Sequence, residues 1–306
     1  MSVWHPERVV TEEEAAELIE RQFPQLAPVT AIAAGEGFDN TAYRVNGAYV
    51  FRFPRRESAV ELLRAECALL PALGALEQPL AIPTSLLLGA PEERYPWPFA
   101  GYRYVPGRPP RVGNDEGRRR SVERLAAFLR ALHAYPAESA KRLGVPGSDP
   151  VGRFVMPAAL ERLQAREEEA AALGLWHGGE ALESLIAGLD GVNVRSYRET
   201  LLHGDLHLRN VLEDEQGELN GVIDWGDAHI GHPALDLAIA YSYVPVSERE
   251  RFFCLYGAVD ADTRKLARFR AVFTLVVLLL YGHDRGDDEL AAVSREGLAR
   301  ALAGPL

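Results

Sequence analysis

The hydrophobic pattern of this chain turns largely helical after residue 106. Between residues 29 and 105 strand-like runs punctuated by turn residues dominate around one helical stretch; farther on apolar positions mostly recur every three or four. Period two suits half-buried strands, and period 3.6 suits helices with one buried face. The joint is Pro106-Gly107-Arg108-Pro109-Pro110, which reads as a stiff connector. We therefore expect an N-terminal lobe over 1–105 and a largely helical C-terminal lobe over 106–306. With 306 residues the chain can bury a sizeable core in two such parts.

In the first part, Thr11-x-x-Glu14 is a capping box that opens an amphipathic helix ending near Gln22. Val29 to Ala33 reads as a strand running into Gly35-Glu36-Gly37-Phe38-Asp39-Asn40. Thr41–Val45 and Ala48–Phe53 flank Asn46-Gly47, a strong hairpin signal because both turn positions want positive φ. Ser58-x-x-Glu61 is a second capping box, and the helix it starts runs to about Leu73 with Leu62, Ala65, Leu69 and Leu70 on its apolar side. Strands over 83–88 and 99–105 complete a small antiparallel sheet. In the second part, helical spacing is found near 116–134, 153–173, 179–189, 247–257, 262–281 and 287–303. It is interrupted over 200–225, where Leu201-Leu202 and Val222-Ile223 read as short strands.

That interruption carries the chemistry. His203-Gly204-Asp205-Leu206-His207-Leu208-Arg209-Asn210 is followed, beyond a short apolar strand, by Asp224. An amide oxygen on Asn210 and a carboxylate on Asp224 are hard ligands of the kind Mg²⁺ accepts. Asp205 is then free to take the proton of an attacking hydroxyl, as phosphoryl transfer requires. Two other readings stand beside this one. Asp205 and Asp224 are loop and cap residues; or His203, Asp205 and His207 alternate as ligands of a hydrolytic metal. No further His or Cys cluster completes such a metal site, and His229, His232 and His283 are scattered.

Charge and cysteine usage narrow the partners. A net charge of -11 and a pI near 5.3 argue against nucleic acid and favour a cationic small molecule, although many soluble proteins are simply acidic. Cys67 and Cys254 have no metal or disulfide spacing, and the N-terminus has no signal-peptide pattern, so a cytoplasmic protein is expected. The longest apolar run, Ala271 to Tyr281, is too short to span a bilayer and reads as a buried core helix, so no membrane partner is expected.

The His203–Asn210 motif, Ile223-Asp224-Trp225 and Gly231-His232-Pro233-Ala234-Leu235-Asp236-Leu237-Ala238 together resemble the aminoglycoside phosphotransferase and choline-kinase-like family, closer to its antibiotic kinases. The likeness covers about residues 30–240. It implies an α+β, protein-kinase-like two-lobe fold and a kinase that uses Mg²⁺ with ATP or GTP. By that resemblance Asp205 is the catalytic base, and Asn210 and Asp224 hold the metal. Gly35, Gly37 and Asn40 cover the phosphates, while Val50, Leu212 and Ile223 line the base pocket. The hinge Tyr104-Val105-Pro106 offers backbone groups to the base. Asp236 is structural and holds the catalytic loop.

Arg52 departs from the family, which places lysine there. Only Lys141 and Lys265 are lysines, so none serves the N-terminal part. Glu66 is the expected helix partner of Arg52, with Glu61 as the fallback. Three readings stay open: Arg52 replaces the lysine in an active kinase, the protein is a nucleotide-binding regulator without turnover, or Arg52 is a surface residue in a shifted register. For an active kinase the expected acceptor is an aminoglycoside- or macrolide-like molecule; a metabolic amino alcohol or sugar is the alternative. Asp227, Asp284, Asp287, Asp288 and Glu289 would suit a cationic acceptor if they line its site, unless 284–289 is only a solvated helix start. The apolar stretch 271–281 would suit a larger, apolar one.

Overall fold

The computed structural model describes residues 6–304 except Phe38, Glu77 and Ser85. Phe38 of the expected glycine loop and Ser85 of the expected fourth strand therefore lie outside the described residues. The chain divides into two compact units. One comprises Met1–Glu77, Ile82–Val105 and Arg142–Val145; the other comprises Gln78–Ala81, Pro106–Lys141 and Pro146–Leu306.

The first unit opens with α1 (Glu12–Gln22), and its capping box forms: Thr11 Oγ1 accepts the Glu14 N–H, and the Glu14 carboxylate accepts the Thr11 N–H. Then come β1 (Ala31–Glu36), β2 (Asn40–Val45), β3 (Tyr49–Pro54), α2 (Ser58–Gly74), β4 (Leu87–Gly89) and β5 (Phe99–Arg103). The sheet is antiparallel, in the order β1-β2-β3-β5-β4. Asn46 and Gly47 turn β2 into β3 with φ of 50° and 68°. Alternation then sorts β3 by face: Phe51 and Phe53 are fully buried, while Val50 and Arg52 are half-buried. Phe53 stacks on Phe99 at 4.6 Å, and Phe23 meets Phe99 edge-on at 6.2 Å, in a core that Leu18 and Ile19 of α1 close.

Three expectations are corrected here. β1 does not end at Ala33; a bulge between Ala33 and Gly35 carries it to Glu36, so the glycine loop shrinks to a turn after Glu36. The fourth strand starts at Leu87 rather than Pro83, a residue with no N–H to give a ladder. Ser58 does not cap α2. The preceding Glu57 is already in the helical region (φ -61°, ψ -38°), and its N–H is taken by the Glu7 carboxylate at 3.1 Å, so no extended serine is needed. On α2, Leu63 rather than Leu62 is fully buried beside Ala65, Leu69 and Leu70.

The second unit holds α3 (Asp115–Ala134), α4 (Ala137–Arg142, which runs to the edge of the unit), α5 (Met156–Ala172) and α6 (Gly179–Ala187). Four short strands follow: β6 (Thr200–Leu202), β7 (Val211–Glu213), β8 (Leu219–Val222) and β9 (His229–Gly231). β6 pairs with β9 and β7 with β8, so the catalytic motif sits on the connections of two small ladders. Ile223, expected inside a strand, lies just past β8. The chain ends in α7 (Ala234–Leu237), α8 (Ile239–Ser242), α9 (Arg249–Tyr256), α10 (Ala261–Arg285) and α11 (Asp288–Leu302). By length and composition α10 is apolar enough to cross a membrane, but 67% of its apolar window is buried within the protein. It packs on α5, α7, α8 and α11, so the stretch 271–281 is largely core, while its Ala271, Thr274 and Leu275 line a small cavity together with His207.

Replacing Phe53 by alanine deletes a fully buried ring from the first unit. We expect a loss of about 3–5 kcal/mol, read as a lower urea midpoint by fluorescence; Leu88→Ala on the exposed edge strand should stay within about 0.5 kcal/mol.

Candidate active site

β6 delivers the chain into His203-Gly204-Asp205. Gly204 has φ of 84°, and a Cβ there would lie 2.1 Å from the Asp227 carbonyl oxygen, so only glycine passes. The fully buried Asp236 on α7 receives the two backbone groups ahead of Asp205: His203 N–H donates to Oδ2 at 2.7 Å and Gly204 N–H to Oδ1 at 3.0 Å. His133 of α3 adds its Nε2 at 3.2 Å from Oδ2, and its Nδ1 lies 2.8 Å from the Tyr256 hydroxyl. Burial works to raise the Asp236 carboxyl, but the hydrogen bond and charge of His133, with help from His203, hold it below the ordinary range. The His203 ring fixes the other side of the loop. Its Nε2 donates to the Ile223 carbonyl at 3.0 Å, so Nδ1 is the nitrogen that accepts the Asp205 N–H at 3.3 Å.

Asp205 projects from this anchored loop. Burial opposes its ionisation, but His207, whose Nε2 is 3.2 Å from Oδ2, together with Arg153 and His203 overturns that and holds the carboxyl well below the usual range. Asn210 closes the loop from below: its Nδ2 donates to the Asp205 carbonyl at 2.9 Å, and its backbone N–H donates to His207 at 2.9 Å. The Asn210 carbonyl in turn accepts the Ile223 N–H at 2.9 Å, which ties the loop to the end of β8. With Nδ2 committed to Asp205, the amide oxygen is the arm that faces away from it. Asp224 comes next, exposed and at φ of 65°, a left-handed conformation that costs a residue with a side chain about 1–3 kcal/mol.

In the first unit, Arg52 Nη1 lies 2.8 Å from both Oε1 and Oε2 of Glu66, with side-chain exposures of 14% and 2%. The shifted-register reading therefore fails, and so does the Glu61 fallback, since Glu61 pairs with Arg64. Leu212, on β7 of the second unit, is buried, while Val50 and Ile223 are half-buried. At the expected hinge the Tyr104 N–H donates to the Ala48 carbonyl at 2.9 Å, which leaves the carbonyl as the backbone group that Tyr104 can offer. Pro106 has no N–H, so Val105 is the hinge residue whose N–H meets no acceptor among the described residues.

The sequence profile of the phosphotransferase enzyme family (APH) matches residues 30–270. The chain belongs to this family. It is 26% identical over 246 residues to viomycin phosphotransferase of Streptomyces vinaceus, covering 78% of this chain and 83% of the relative. It is 30% identical over 154 residues to an aminoglycoside 3'-phosphotransferase of Escherichia coli, covering 47% and 52%. Among solved structures, the GDP complex of aminoglycoside 2'-phosphotransferase-IIIa superposes with a TM-score of 0.67 at 27% identity, over 95% of this chain and 98% of that one. Macrolide 2'-phosphotransferase MphH of Brachybacterium faecium, at 23% identity and a TM-score of 0.60, shares the fold, covering 96% and 99%. The chain is a small-molecule kinase that phosphorylates an alcohol group, so a regulator without turnover is set aside.

In this phosphotransferase the alternating His203, Asp205 and His207 are not a metal cage. Both His203 ring nitrogens are committed, and no group of three His, Cys, Asp or Glu suited to a metal occurs among the described residues. The acidic run is a helix start: 284–289 is exposed, Asp287 caps α11 by accepting the Leu290 N–H, and Glu289 pairs with Arg111. Asp227 is paired too, with Arg153 at 2.7 Å.

Sequence reasoning missed Arg153. This buried guanidinium also meets Asp149 at 2.8 Å; burial pulls its pKa down, but Asp227, Asp149 and Asp205 together raise it. The Asp149-x-x-x-Arg153 spacing was visible, but Asp227 lies 74 residues away in sequence. Arg270 on α10 was missed as well. Its guanidinium stacks 4.8 Å over Phe273, and burial with the nearby Arg153 pushes it down to about 10, while Asp205 and Asp149 work the other way. It stays cationic at neutral pH. Arg55 was the third: it donates to the Gly37 carbonyl at 2.8 Å, pairs with Glu36, and gives its N–H to Asp39, bracing the glycine turn.

The depressed Asp205 pKa carries a signed prediction. Its ionised form, and the stability that goes with it, is present above the unfolded value near 3.9 and is lost as pH falls through the lower folded value. His207→Ala removes the largest favourable influence, so the acid limb of kcat/KM should move to higher pH. An unmoved limb would show that His207 does not hold Asp205.

Proposed function

We propose that this phosphotransferase moves the terminal phosphoryl group of ATP or GTP to a hydroxyl of an antibiotic-like acceptor, with Asp205 aligning that hydroxyl and taking its proton. The observation that carries the reading is Asp205 itself: a carboxylate kept ionised by His207 and Arg153, on a loop whose backbone Asp236 pins. A fixed, ionised acceptor for a proton is what alignment of a weak nucleophile needs.

Asn210 and Asp224 fit Mg²⁺. The ion takes oxygen ligands, commonly one or two from protein with the rest from phosphates and water, and the pair offers an oriented amide oxygen and an exposed carboxylate. When bound, Mg²⁺ would neutralise charge on the phosphates. The strained backbone of Asp224 supports that role, because strain persists where the surrounding structure holds it in place. Gly35 and Gly37 have room around them: a Cβ at Gly35 meets nothing within 4 Å, and one at Gly37 meets only the Asn40 carbonyl at 3.6 Å. Packing of the chain does not demand glycine there, which supports a close approach by phosphates. Among the described residues the buried Asn40 side-chain oxygen has no hydrogen-bond partner, as expected of a group that waits for a ligand. Arg52, held by Glu66, supplies the phosphate-binding cation in place of lysine. In the first unit Val50 would line the base, with the Val105 N–H as its backbone donor. A nucleotide donor and two free cysteines support action in the cytoplasm.

The named acceptors of the relatives, viomycin and aminoglycosides, support an antibiotic acceptor. A specific observation favours one with little positive charge near the reacting hydroxyl. Asp227 is neutralised, and two guanidiniums, Arg153 and Arg270, lie within electrostatic reach of Asp205. A macrolide-like acceptor suits this better than a polyamine sugar.

Transfer of labelled phosphate from ATP and GTP to aminoglycosides, macrolides, peptide antibiotics, choline and sugars tests the reading. Asp205→Ala should lower kcat by roughly 10²–10⁴-fold with nucleotide affinity nearly unchanged; turnover near wild type would overturn the assignment. Arg52→Ala should raise the nucleotide KM and unsettle Glu66, whereas Arg52→Lys should restore most of the binding. Equal loss in both variants would show that the guanidinium fork, not the charge, is what matters.

A further inference from the structure

A cavity of about 330 Å³ opens in the second unit, lined by residues of α3, the Tyr197–Thr200 segment and the α9–α10 turn. That volume is in the range of small-molecule sites. Its lining shares no residue with Asp205, Asn210, Asp224 or Arg153. Two guanidiniums stand in it, Arg130 and Arg198, and among the described residues neither forms an ion pair; Arg130 donates only to the Leu255 carbonyl. The one acid of the lining, Asp260, is occupied as the cap of α10, bonding Thr263 N at 2.8 Å and Thr263 Oγ1 at 2.7 Å. Two tyrosines give flat apolar walls. Tyr197 is 42% exposed yet held in place, its ring 4.6 Å from that of His232.

The other tyrosine, Tyr256, is wired to the active site. Its hydroxyl lies 2.8 Å from His133 Nδ1, His133 Nε2 lies 3.2 Å from Asp236, and Asp236 holds the His203 and Gly204 N–H groups that precede Asp205. We propose that this cavity is a second ligand site for a small aromatic phosphate monoester, held by Arg130 and Arg198 and stacked between Tyr197 and Tyr256, and that its occupant acts on the catalytic loop through Tyr256, His133 and Asp236. Two guanidiniums lining one cavity suit a phosphate dianion, and the tyrosine walls suit a ring. A ligand oxygen that accepts the Tyr256 hydroxyl competes with His133 for that proton. Occupancy thereby alters the partner of the Asp236 carboxylate without touching the nucleotide.

Calorimetric titration of the full chain with phenyl phosphate and with inorganic phosphate tests this, at fixed ionic strength and with ADP saturating the donor site. We expect saturable binding of one phenyl phosphate per chain, tighter than inorganic phosphate. It should weaken roughly tenfold in Arg198→Ala and in Arg130→Ala, the worth of a charge-assisted hydrogen bond. Both side chains are on the surface, so these variants should fold. Absence of saturable binding, or binding unchanged in the double variant, overturns the site; inorganic phosphate binding as tightly overturns the aromatic ligand. Occupancy should also shift kcat with little change in nucleotide KM, and Tyr256→Phe should keep binding but lose that shift. A kcat response that survives Tyr256→Phe overturns the relay. The binding measurements do not depend on turnover, so they stand or fall separately from the assignment of Asp205.

Discussion

A single buried carboxylate organises the active part of this enzyme. Asp236 has no exposed surface, and an ion in that position costs several kcal/mol unless its oxygens are filled. They are filled by two backbone N–H groups from the loop that carries Asp205 and by the imidazole of His133. The carboxylate thus cannot be buried without the loop, and the loop cannot hold its shape without the carboxylate. α3, β6, α7 and α9 meet at this point, α9 through Tyr256. Gly204 makes the meeting possible, because its backbone passes where a methyl group would strike the Asp227 carbonyl.

Around that anchor, charges alternate. Asp149 and Asp227 flank Arg153, and Arg153 together with His207 faces Asp205. The result is a carboxylate that stays ionised despite burial, next to an arginine kept cationic by three acids. Asp205 or Arg153 alone would be expensive to bury; together with their neighbours Asp205 is held ionised and Arg153 cationic. The same logic bears on the acceptor. Asp227 and Glu289, which look available in the sequence, are already paired in the fold and Asp287 caps a helix, so overall negative charge says little about the charge that the acceptor meets.

Local physics was legible in the sequence, and distant pairing was not. The Thr11 capping box, the Asn46-Gly47 turn and the alternation of Phe51 and Phe53 follow from a few adjacent residues, and each appears in the fold. One short loop brings Asp205 and Asn210 into contact, and the Ile223 N–H bonded to the Asn210 carbonyl brings the residue before Asp224 alongside them. Ser58 misled because Glu7, far off in sequence, took the capping duty through Glu57. The strands β7 and β9 are three residues each, too short for periodicity to register. Arg153 and Arg270 were invisible as site residues because their partners lie on other elements.

The arginine at position 52 is best understood as a folding requirement before a catalytic one. Glu66 is 2% exposed, so whatever occupies position 52 must be a cation able to reach it. Arginine meets that demand at any pH, with a fixed planar fork, and its weak hydration makes it the cheaper of the two cations to bury. The exchange from lysine therefore leaves intact the ion pair that orients the third strand against α2. What changes is the shape of the cation offered to a phosphate, from a point to a fork. On the proposed reading, that fork sets how a donor phosphate is gripped, while Asp205 acts on the acceptor and Asn210 and Asp224 hold the metal.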